Sequence, residues 1–480
     1  MANIKDILIS TEYDKVNSIL RVAGELGKEE AIDVYVVGGF VRDILMGNPI
    51  NDIDLMTVGE GIPFAQKLAN KLGKKNIVTF EKFGTALIPG KDLQIEVATA
   101  RKEAYDSKSR NPSDIIFTDL KGDLLRRDFT INAMAMNISL LHFGELTDPF
   151  GGIIDIKKKI IKTPLSPNVT FSEDPLRMMR AAYFASKLGF EIDNYCRRAI
   201  KENASRISIV SKERIREEFI KILKTEKPSI GLIILQKSGL MKIIFPEIHI
   251  MYGMDQTSEW HHKDIFAHTM QVVDNAATLS NKMEIRFAAL VHDIAKPNTR
   301  RIDKKKGYTF HGHDAIGEKM INVVSDRMKL SNYLKNYLKK LTLLHLRPIA
   351  LVKEIVTDSA VRRLMVAAGE DLNDLMILCR ADITTKSPKR IKKYLNNFNK
   401  VEEKMANVSE KDAMIAFQSP VRGDEIMAFC GLSEGRIVGN IKKAIEEQIL
   451  EGNIENTHAA ALNYLIEIKD NYLMDEDNFD

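Results

Sequence analysis

The stretch VVGGFVRDILMGNPINDIDL, residues 36 to 55, limits what this chain can fold into more than any other. Val34 to Val37 reads as a buried strand. Gly38-Gly39 breaks it, FVRDILM reads as a helix, and NDIDLMTV returns to strand. A glycine turn between strand and helix lets a ligand approach the backbone closely. The free N–H groups of the following helix then favour an anion, most often a phosphate. Packing alone also explains many such turns. Asp52 and Asp54 lie two apart in the returning strand, so their carboxylates share one face while Ile53 and Leu55 point to the other. Two unpaired carboxylates on one face repel each other unless a cation sits between them. Oxygen-rich sites of this kind suit Mg²⁺, which bridges to substrate phosphates. An isolated D-x-D is common on surfaces, but turn and carboxylates in one small α/β unit are the equipment of two-metal phosphoryl or nucleotidyl transfer. In LQIEVATAR, Gln94, Glu96 and Ala98 alternate with Ile95, Val97 and Thr99. Glu96 is therefore the candidate third carboxylate, the alternative being an ordinary exposed strand residue.

The chain has 480 residues, enough for about two to four domains. NIVTFEKFGTALI reads as a hairpin. From about residue 172 the strand signals fade, and Ser172–Phe190, Lys212–Lys224 and most of 265–475 carry helical periods. The expected class is α+β, an α/β head on an all-α remainder. No apolar run approaches the roughly 18 residues of a membrane span, and MANIKDILISTEYDK lacks a signal-peptide layout. Cys196, Cys379 and Cys430 are too far apart for a disulfide framework or a zinc knuckle, so a reducing cytoplasm is expected. A net charge of +4 announces no overall basic field. The local runs RRIDKKK (300–306) and KSPKRIKKYLNNFNK (386–400) read as solvated helix faces.

Two further stretches carry chemistry. In LLRRDFTINAMAMN, Arg126 and Arg127 precede Asp128, with Asn132 a turn later. Adjacent arginines can clamp a triphosphate or form a helix-end charge cluster. In FSEDPLRMMRAAYFASKLGF, Asp174 and Pro175 suit the N-cap and first position of a helix. Leu176, Met179 and Tyr183 form its expected buried stripe. Asp174 and Arg177 are three apart and can face one space, or make a local ion pair. A carboxylate only accepts and a guanidinium only donates. Cytosine and adenine each present an amino donor beside a ring-nitrogen acceptor, whereas guanine and uracil reverse that order. One Asp–Arg pair can therefore accept C and A and refuse G and U.

In order, GGFVRDILMGNPINDIDL, RRDFTINAMAMN, DPFGGIIDI, EDPLRMMRAAYFASKLGF and SKERIREEF resemble the motifs of class II tRNA nucleotidyltransferases, the bacterial CCA-adding enzymes and their poly(A) polymerase relatives. The resemblance is dense over residues 30–225 and looser through 231–248 and 419–432. It implies a polymerase-β-like nucleotidyltransferase head (1–150), a neck (151–225), body or RNA-binding helices (226–258), an HD domain (259–405) and a helical tail (406–480). It also implies that Asp52 and Asp54 hold Mg²⁺, and that Gly38, Gly39 and Arg42 lie at the triphosphate. Arg126, Asp128 and Asn132 would contact sugar or phosphate. Asp174 and Arg177 would read the incoming base, with Arg180 nearby. Glu213 and Arg214 match the neck motif, where a structural ion pair is the alternative. The implied partners are tRNA, CTP and ATP, without a membrane. Rival products are a partial CCA end or poly(A). The long polar stretch 101–125 favours full CCA addition, because relatives that add only CC look shortened there.

Eight of the ten histidines fall between residues 249 and 345. HHKDIFAHTM supplies His262 and His268, FAALVHDIAKP supplies His292-Asp293, and CRAD supplies Asp382. The order His268, His292-Asp293, Asp382 is similar to that of HD-type metal phosphohydrolases. Mixed imidazole and carboxylate ligands suit Mn, Fe, Co, Ni or Zn better than Ca. His313 and His345 are candidates for a second metal or a phosphate. The resemblance implies either a phosphatase or cyclic phosphodiesterase acting on RNA ends, or an HD fold kept as a helical scaffold. An HD phosphohydrolase whose head merely binds nucleotide is the rival from another class, and intact Asp52 and Asp54 argue against it.

Overall fold

A computed structural model describes residues 3–8, 13–91, 93–105, 112–254, 264–304, 307–352, 357–416, 419–450 and 453–473. The chain forms two compact units: residues 1–350 with 368–395, and residues 351–367 with 396–480.

The first unit begins with a seven-stranded mixed sheet: β1 (Asp33–Val37), β2 (Asp52–Val58), β3 (Val78–Phe80), β4 (Thr85–Ile88), β5 (Gln94–Thr99), β6 (Ala135–Asn137) and β7 (Leu146–Thr147). Their spatial order is β3-β4-β5-β2-β1-β6-β7. The expected hairpin is the antiparallel pair β3–β4. Strand β2 runs antiparallel to β1 but parallel to β5, in a register that sets Asp54 beside Glu96. Along β5 burial alternates, with Ile95 and Val97 inward and Glu96 exposed. Helix α1 (Gly39–Met46) buries Phe40, Val41 and Ile44 in a core shared with Ile53, Leu55, Ile95 and Val97. The apolar positions of strand and helix thus bury one face and turn the carboxylates to the other.

The helices follow, as the sequence implies. α2 (Leu176–Leu188) packs against α3 (Lys212–Leu223). Beyond them come α4 (Ile265–Leu279), α5 (Met283–Val291), α6 (His313–Met328), α7 (Asn332–Leu344) and α8 (Leu372–Ala381). Rings of Phe219, Phe245 and Phe287 meet at centroid distances of 5.8, 6.0 and 6.5 Å. Arg286, buried and without a carboxylate partner among the described residues, donates to the carbonyls of Leu223 and Thr225 (3.0 Å each) and to those of Ala277 and Ser280. It thereby satisfies orphan carbonyls near the ends of α3 and α4 with one cation, as helix C-termini prefer.

Three local expectations change. The helical period expected over Ser172–Phe190 is broken into Pro167–Glu173 and α2, because proline disfavours helical backbone at the residue before it. Asp174 there is extended, with φ −128° and ψ 95°. The RRIDKKK run is not a helix face: Arg301–Asp303 pairs antiparallel with Gly307–Thr309. Another two-stranded pair, Ile160–Ile161 with Glu191–Ile192, also interrupts the helical part. The second unit, described by itself, packs helices Gly423–Cys430, Arg436–Leu450 and His458–Leu473 around Val421, Ile426, Ile441, Ile445, Ala461 and Leu465.

Candidate functional site

A polar cleft of about 590 Å³ brings together Gly38, Gly39, Arg42, Asp54, Arg126, Asp128, Asn132, Asp174, Arg177 and Arg180. These residues span the chain from the first strand–helix turn to helix α2. Gly38 has φ +73°, and a Cβ there would lie 3.0 Å from Arg127 Nη1 and 3.2 Å from Asp54 Oδ2. The conformation favours glycine, and a side chain there would crowd both groups. Asp52 and Glu96 are exposed and Asp54 half-buried on the same sheet face. Burial first, then the charges of Glu96 and Asp52, push the Asp54 carboxyl up to about 6, against the opposing pull of Arg127 and Arg42. Three carboxyls so placed repel one another more than Arg127 and Arg42 offset, which is the condition a divalent cation relieves.

Arg42 is buried. Its Nη1 donates to Asn132 Oδ1 at 2.6 Å, and its Nε and Nη2 grip Asp43 at 3.0 and 2.7 Å. Asn132 Nδ2 donates to Asp128 Oδ1 at 3.0 Å, and Arg180 Nε donates to Asp128 Oδ2 at 2.7 Å. Burial alone would raise the Asp128 carboxyl, yet Arg180 and Asn132 hold it below the ordinary range. The ring of Phe184 closes this circuit, with the Arg42 guanidinium 5.2 Å and the Arg180 guanidinium 5.3 Å from its centroid. Sequence reasoning missed Phe184, whose only signal is its place one turn after Arg180. It also missed Asp123. This buried carboxylate binds Arg126 Nη2 at 2.6 Å and Arg127 Nη2 at 2.9 Å, from three and four residues back. Of the two arginines, Arg127 stands against Gly38 and Asp54, while Arg126 turns to Asp123 and the Arg101 carbonyl.

Asp174, expected as the N-cap of α2, sits one residue earlier, at the junction with the preceding helix. Its Oδ1 accepts from the Leu176 N–H at 3.1 Å. Arg177 Nη2 donates to the Arg126 carbonyl at 2.7 Å. Its buried Nη1 has no hydrogen-bond partner among the described residues, with Glu173 Oε2 standing off at 3.9 Å. A buried donor without a hydrogen bond, close to a carboxylate in sequence and in the cleft, calls for an acceptor. Tyr183, expected in the buried stripe, is half-buried and lines the cleft. Glu218 and Arg214 of α3 face it from the other wall, whereas Glu213 is exposed and does not line it.

The second constellation lies among α4–α8. His268 Nε2 is 3.0 Å from Asp382 Oδ1 and 3.5 Å from Asp293 Oδ2; His292 Nε2 is 3.1 Å from Asp293 Oδ2 and 3.5 Å from Asp382 Oδ1. All four expected ligands therefore converge. On the other side of Asp293, Oδ1 is 3.3 Å from His313 Nε2 and 3.9 Å from His345 Nε2, and these two nitrogens are 3.3 Å apart. Nδ1 of His292, His313 and His345 faces the carbonyl of Ala289, Phe310 and Thr342, respectively, at 2.7–2.9 Å. A carbonyl can only accept, so the proton sits on Nδ1 and Nε2 is left to face the centre. Despite these short contacts, His292 Nε2 and Asp382 Oδ1 are buried with no well-formed hydrogen bond among the described residues. Two trios, His268–His292–Asp382 and Asp293–His313–His345, each hold their ligand atoms within 4.8 Å of one another. The donor set fits divalent transition metals. His311 is exposed, and His262 lies outside the described residues.

A carboxylate-bearing sheet with a glycine turn at one helix N-terminus, continued into a helical wall, defines a nucleotidyltransferase joined to an HD-type centre. Comparisons agree. Residues 34–162 match the poly A polymerase head domain, 189–251 the probable RNA and SrmB-binding site of polymerase A, and 265–386 the HD domain. The multifunctional CCA protein of Vibrio campbellii is 32% identical over 368 residues, 73% of this chain and 85% of that protein. The A-adding tRNA nucleotidyltransferase of Geobacter sulfurreducens is 38% identical over 235 residues, 48% of this chain and 26% of that protein. A CCA-adding enzyme in its apo form shares the fold, with TM-score 0.61 and 23% identity over 97% of this chain and 99% of that one. A tRNA nucleotidyltransferase solved with a primer tRNA and an incoming ATP analog aligns with TM-score 0.56 and 25% identity, over 79% of this chain and 99% of that one. The chain belongs to the CCA-adding tRNA nucleotidyltransferase family.

Proposed function

We propose that this protein adds nucleotides to tRNA 3′ ends without a nucleic-acid template, and that CTP and ATP complete CCA. The observation that carries this reading is one cleft joining the Gly38 turn and Asp54 to Asp174 and to Arg177, whose buried Nη1 lacks a hydrogen bond among the described residues. The tRNA 3′-hydroxyl attacks the α-phosphate and pyrophosphate leaves. Gly38, Gly39 and Arg42 receive the triphosphate. Arg126, Asp128 and Asn132 position sugar and phosphate, and Arg180 holds Asp128. Asp174 and Arg177 select the base. Asp52 and Asp54, with Glu96 beside them, would hold Mg²⁺, which when bound neutralises the triphosphate and eases ionisation of the attacking hydroxyl.

His268, His292, Asp293 and Asp382 would hold a transition metal for a phosphodiesterase or phosphatase step on RNA ends, and Asp293, His313 and His345 a second ion. Of the five parts, the head and the HD domain draw support from the matched segments 34–162 and 265–386, and the matched RNA-binding segment 189–251 runs from the neck into the body. No helix among the described residues is long and apolar enough to cross a membrane, which accords with a cytoplasmic tRNA-processing role. A second reading, addition of the terminal A alone, is favoured by the 38% identity to an A-adding enzyme. The stretch 101–125, read above as favouring full CCA addition, lies partly outside the described residues, at 106–111. The test is incubation with tRNAs lacking the whole CCA, lacking CA or lacking A, with each triphosphate supplied separately. CTP incorporation on the shortest tRNA supports full CCA addition. ATP incorporation on the longest substrate alone supports the second reading. No incorporation on any of them overturns both.

A further inference from the structure

The cleft extends beyond the residues that account for one nucleotide. On α2 the facing stripe runs from Arg177 and Arg180 on to Tyr183, Phe184 and Lys187. At a rise of about 1.5 Å per residue, Lys187 sits about 15 Å along the helix from Arg177. It is thus at the far end from the base-facing guanidinium. It lines the same cleft as Gly38, Gly39, Arg42 and the β2 carboxylate Asp54. The reaction needs a second occupant there, because the hydroxyl that attacks must reach the carboxylates of β2 and bring its own phosphate and base with it.

We infer that Tyr183 and Lys187 form the seat of the terminal nucleotide of the RNA primer. The inference rests on the reading of the cleft as a nucleotidyl-transfer site. Other cations near the carboxylates are already engaged: Arg42 with Asp43 and Asn132, Arg126 and Arg127 with Asp123. Lys187 is exposed and makes no ion pair among the described residues. Burial of its stem, then Arg42, lower its ammonium pKa against the opposing pull of Asp43 and Asp52. One turn earlier, Tyr183 packs its half-buried ring on Phe184 with centroids 5.0 Å apart. Its hydroxyl makes no hydrogen bond among the described residues, although Arg42, Asp43, Arg180 and Glu218 surround it closely enough to act on it. An aromatic face beside a cation is how proteins hold single-stranded nucleic acid without reading its sequence. That tolerance suits a site whose primer end changes as nucleotides are added. Tyr183 offers the ring and a hydroxyl able to meet a ribose 2′-hydroxyl. Lys187 offers a point charge to a phosphate, which belongs either to the primer backbone or to the triphosphate.

The experiment separates these sources. With a tRNA transcript one nucleotide short, single additions of ATP are measured for wild type, Lys187→Met, Lys187→Arg and Tyr183→Ala, varying RNA and ATP independently. Primer binding without nucleotide is measured by filter binding across salt concentrations. Lys187→Met and Tyr183→Ala are each expected to raise the RNA KM about tenfold while the ATP KM stays within about twofold. Lys187→Met should also lower the salt slope of primer binding by about 0.7, the share of one single-strand phosphate, and Lys187→Arg should restore it. A rise in ATP KM alone would assign Lys187 to the triphosphate and overturn the primer seat. Unchanged constants for both variants would make this end of α2 a solvated face and overturn it too. If wild type adds no nucleotide, the transfer reading fails, and primer binding in the absence of nucleotide still decides the seat.

Discussion

Replacing Asp174 by asparagine tests the base-selecting pair with little disturbance of the fold. The carboxylate's structural duty is to accept the Leu176 N–H at 3.1 Å through Oδ1, and an asparagine carbonyl does the same. What changes is the second oxygen, which becomes an N–H donor. Against cytosine or adenine the new donor meets the exocyclic amino group. The lost hydrogen bond to a charged group costs about 1.5–3 kcal/mol, roughly a 10- to 150-fold fall in rate. Against uracil or guanine, two mismatches of about 1–3 kcal/mol each exclude the base in the wild type, on the order of a thousandfold together. The Asp174→Asn substitution removes one of them, since the carbonyl at O4 or O6 now meets a donor, while the ring N–H still opposes Arg177. Each base then makes one match and one mismatch, so the preference for C over U should fall to roughly parity. The assay is single-nucleotide incorporation with all four triphosphates at subsaturating concentration, with a melting curve to confirm folding. An equal fall for all four bases, or an unchanged preference in a folded variant, would refute the pairing argument and leave Asp174 a backbone cap.

Asp54→Ala should cost several kcal/mol of transition-state stabilisation, about a thousandfold or more in rate, while tRNA binding measured without nucleotide persists; near-wild-type incorporation would remove Asp54 from the metal site. His292→Ala combined with Asp293→Ala should leave nucleotide addition within about tenfold but abolish bound transition metal, measured by elemental analysis, and any hydrolysis of 2′,3′-cyclic RNA ends. Loss of addition in a folded double variant would show that the two centres are not independent. Asp123→Asn tests the arginine anchor by pH. Burial alone would raise this carboxyl, but Arg127 and Arg126 hold it below the ordinary range, so its contribution is complete above the unfolded value of about 3.9 and is lost as pH falls through the folded one. The stability gap between wild type and Asp123→Asn, about 2–4 kcal/mol at pH 7, should narrow as the pH drops below about 4; a gap constant down to pH 3 would mean the anchor carries no net charge interaction.

The parts of the site legible in the sequence were those set by local geometry. Strand alternation put Asp52, Asp54 and Glu96 on one face, and the β2–β5 register brings Asp54 beside Glu96. The histidines and aspartates of the second centre stood out because their order resembles that of HD-type metal phosphohydrolases. The residues that escaped notice act through partners distant in space or through an unremarkable pattern. Phe184 looked like one more apolar residue of α2. Its place between the guanidiniums of Arg42 and Arg180, from motifs more than a hundred residues apart, exists only in the fold. Asp123 was adjacent in sequence to the arginines it holds, at the helical spacing that favours such pairs, and was overlooked because the arginines suggested a ligand before an internal anion.

Tyr183 shows why periodicity alone misassigned a side chain. Met178, Met179, Ala181, Ala182, Phe184, Ala185 and Ser186 of α2 are all buried, so the helix is covered on most of its circumference and a helical count from Leu176 cannot say which contacts are core and which are cleft. What distinguishes the cleft side is polarity at the same spacing: Arg177, Arg180 and Lys187 recur at intervals of three and seven, and Tyr183 falls between them with a hydroxyl at its tip. Read by charge, that stripe continues the base-selecting face; read by hydrophobicity, it vanishes into the core. The same reversal applies to RRIDKKK, where charge alone suggested a helix face. The following glycine, Gly307 at φ +75°, and the β-favouring Ile302, Tyr308 and Thr309 give the chain a change of direction and two short strands instead. In both places the neighbouring residues held the missing information, because the geometry a charged side chain adopts is decided by the backbone its neighbours allow.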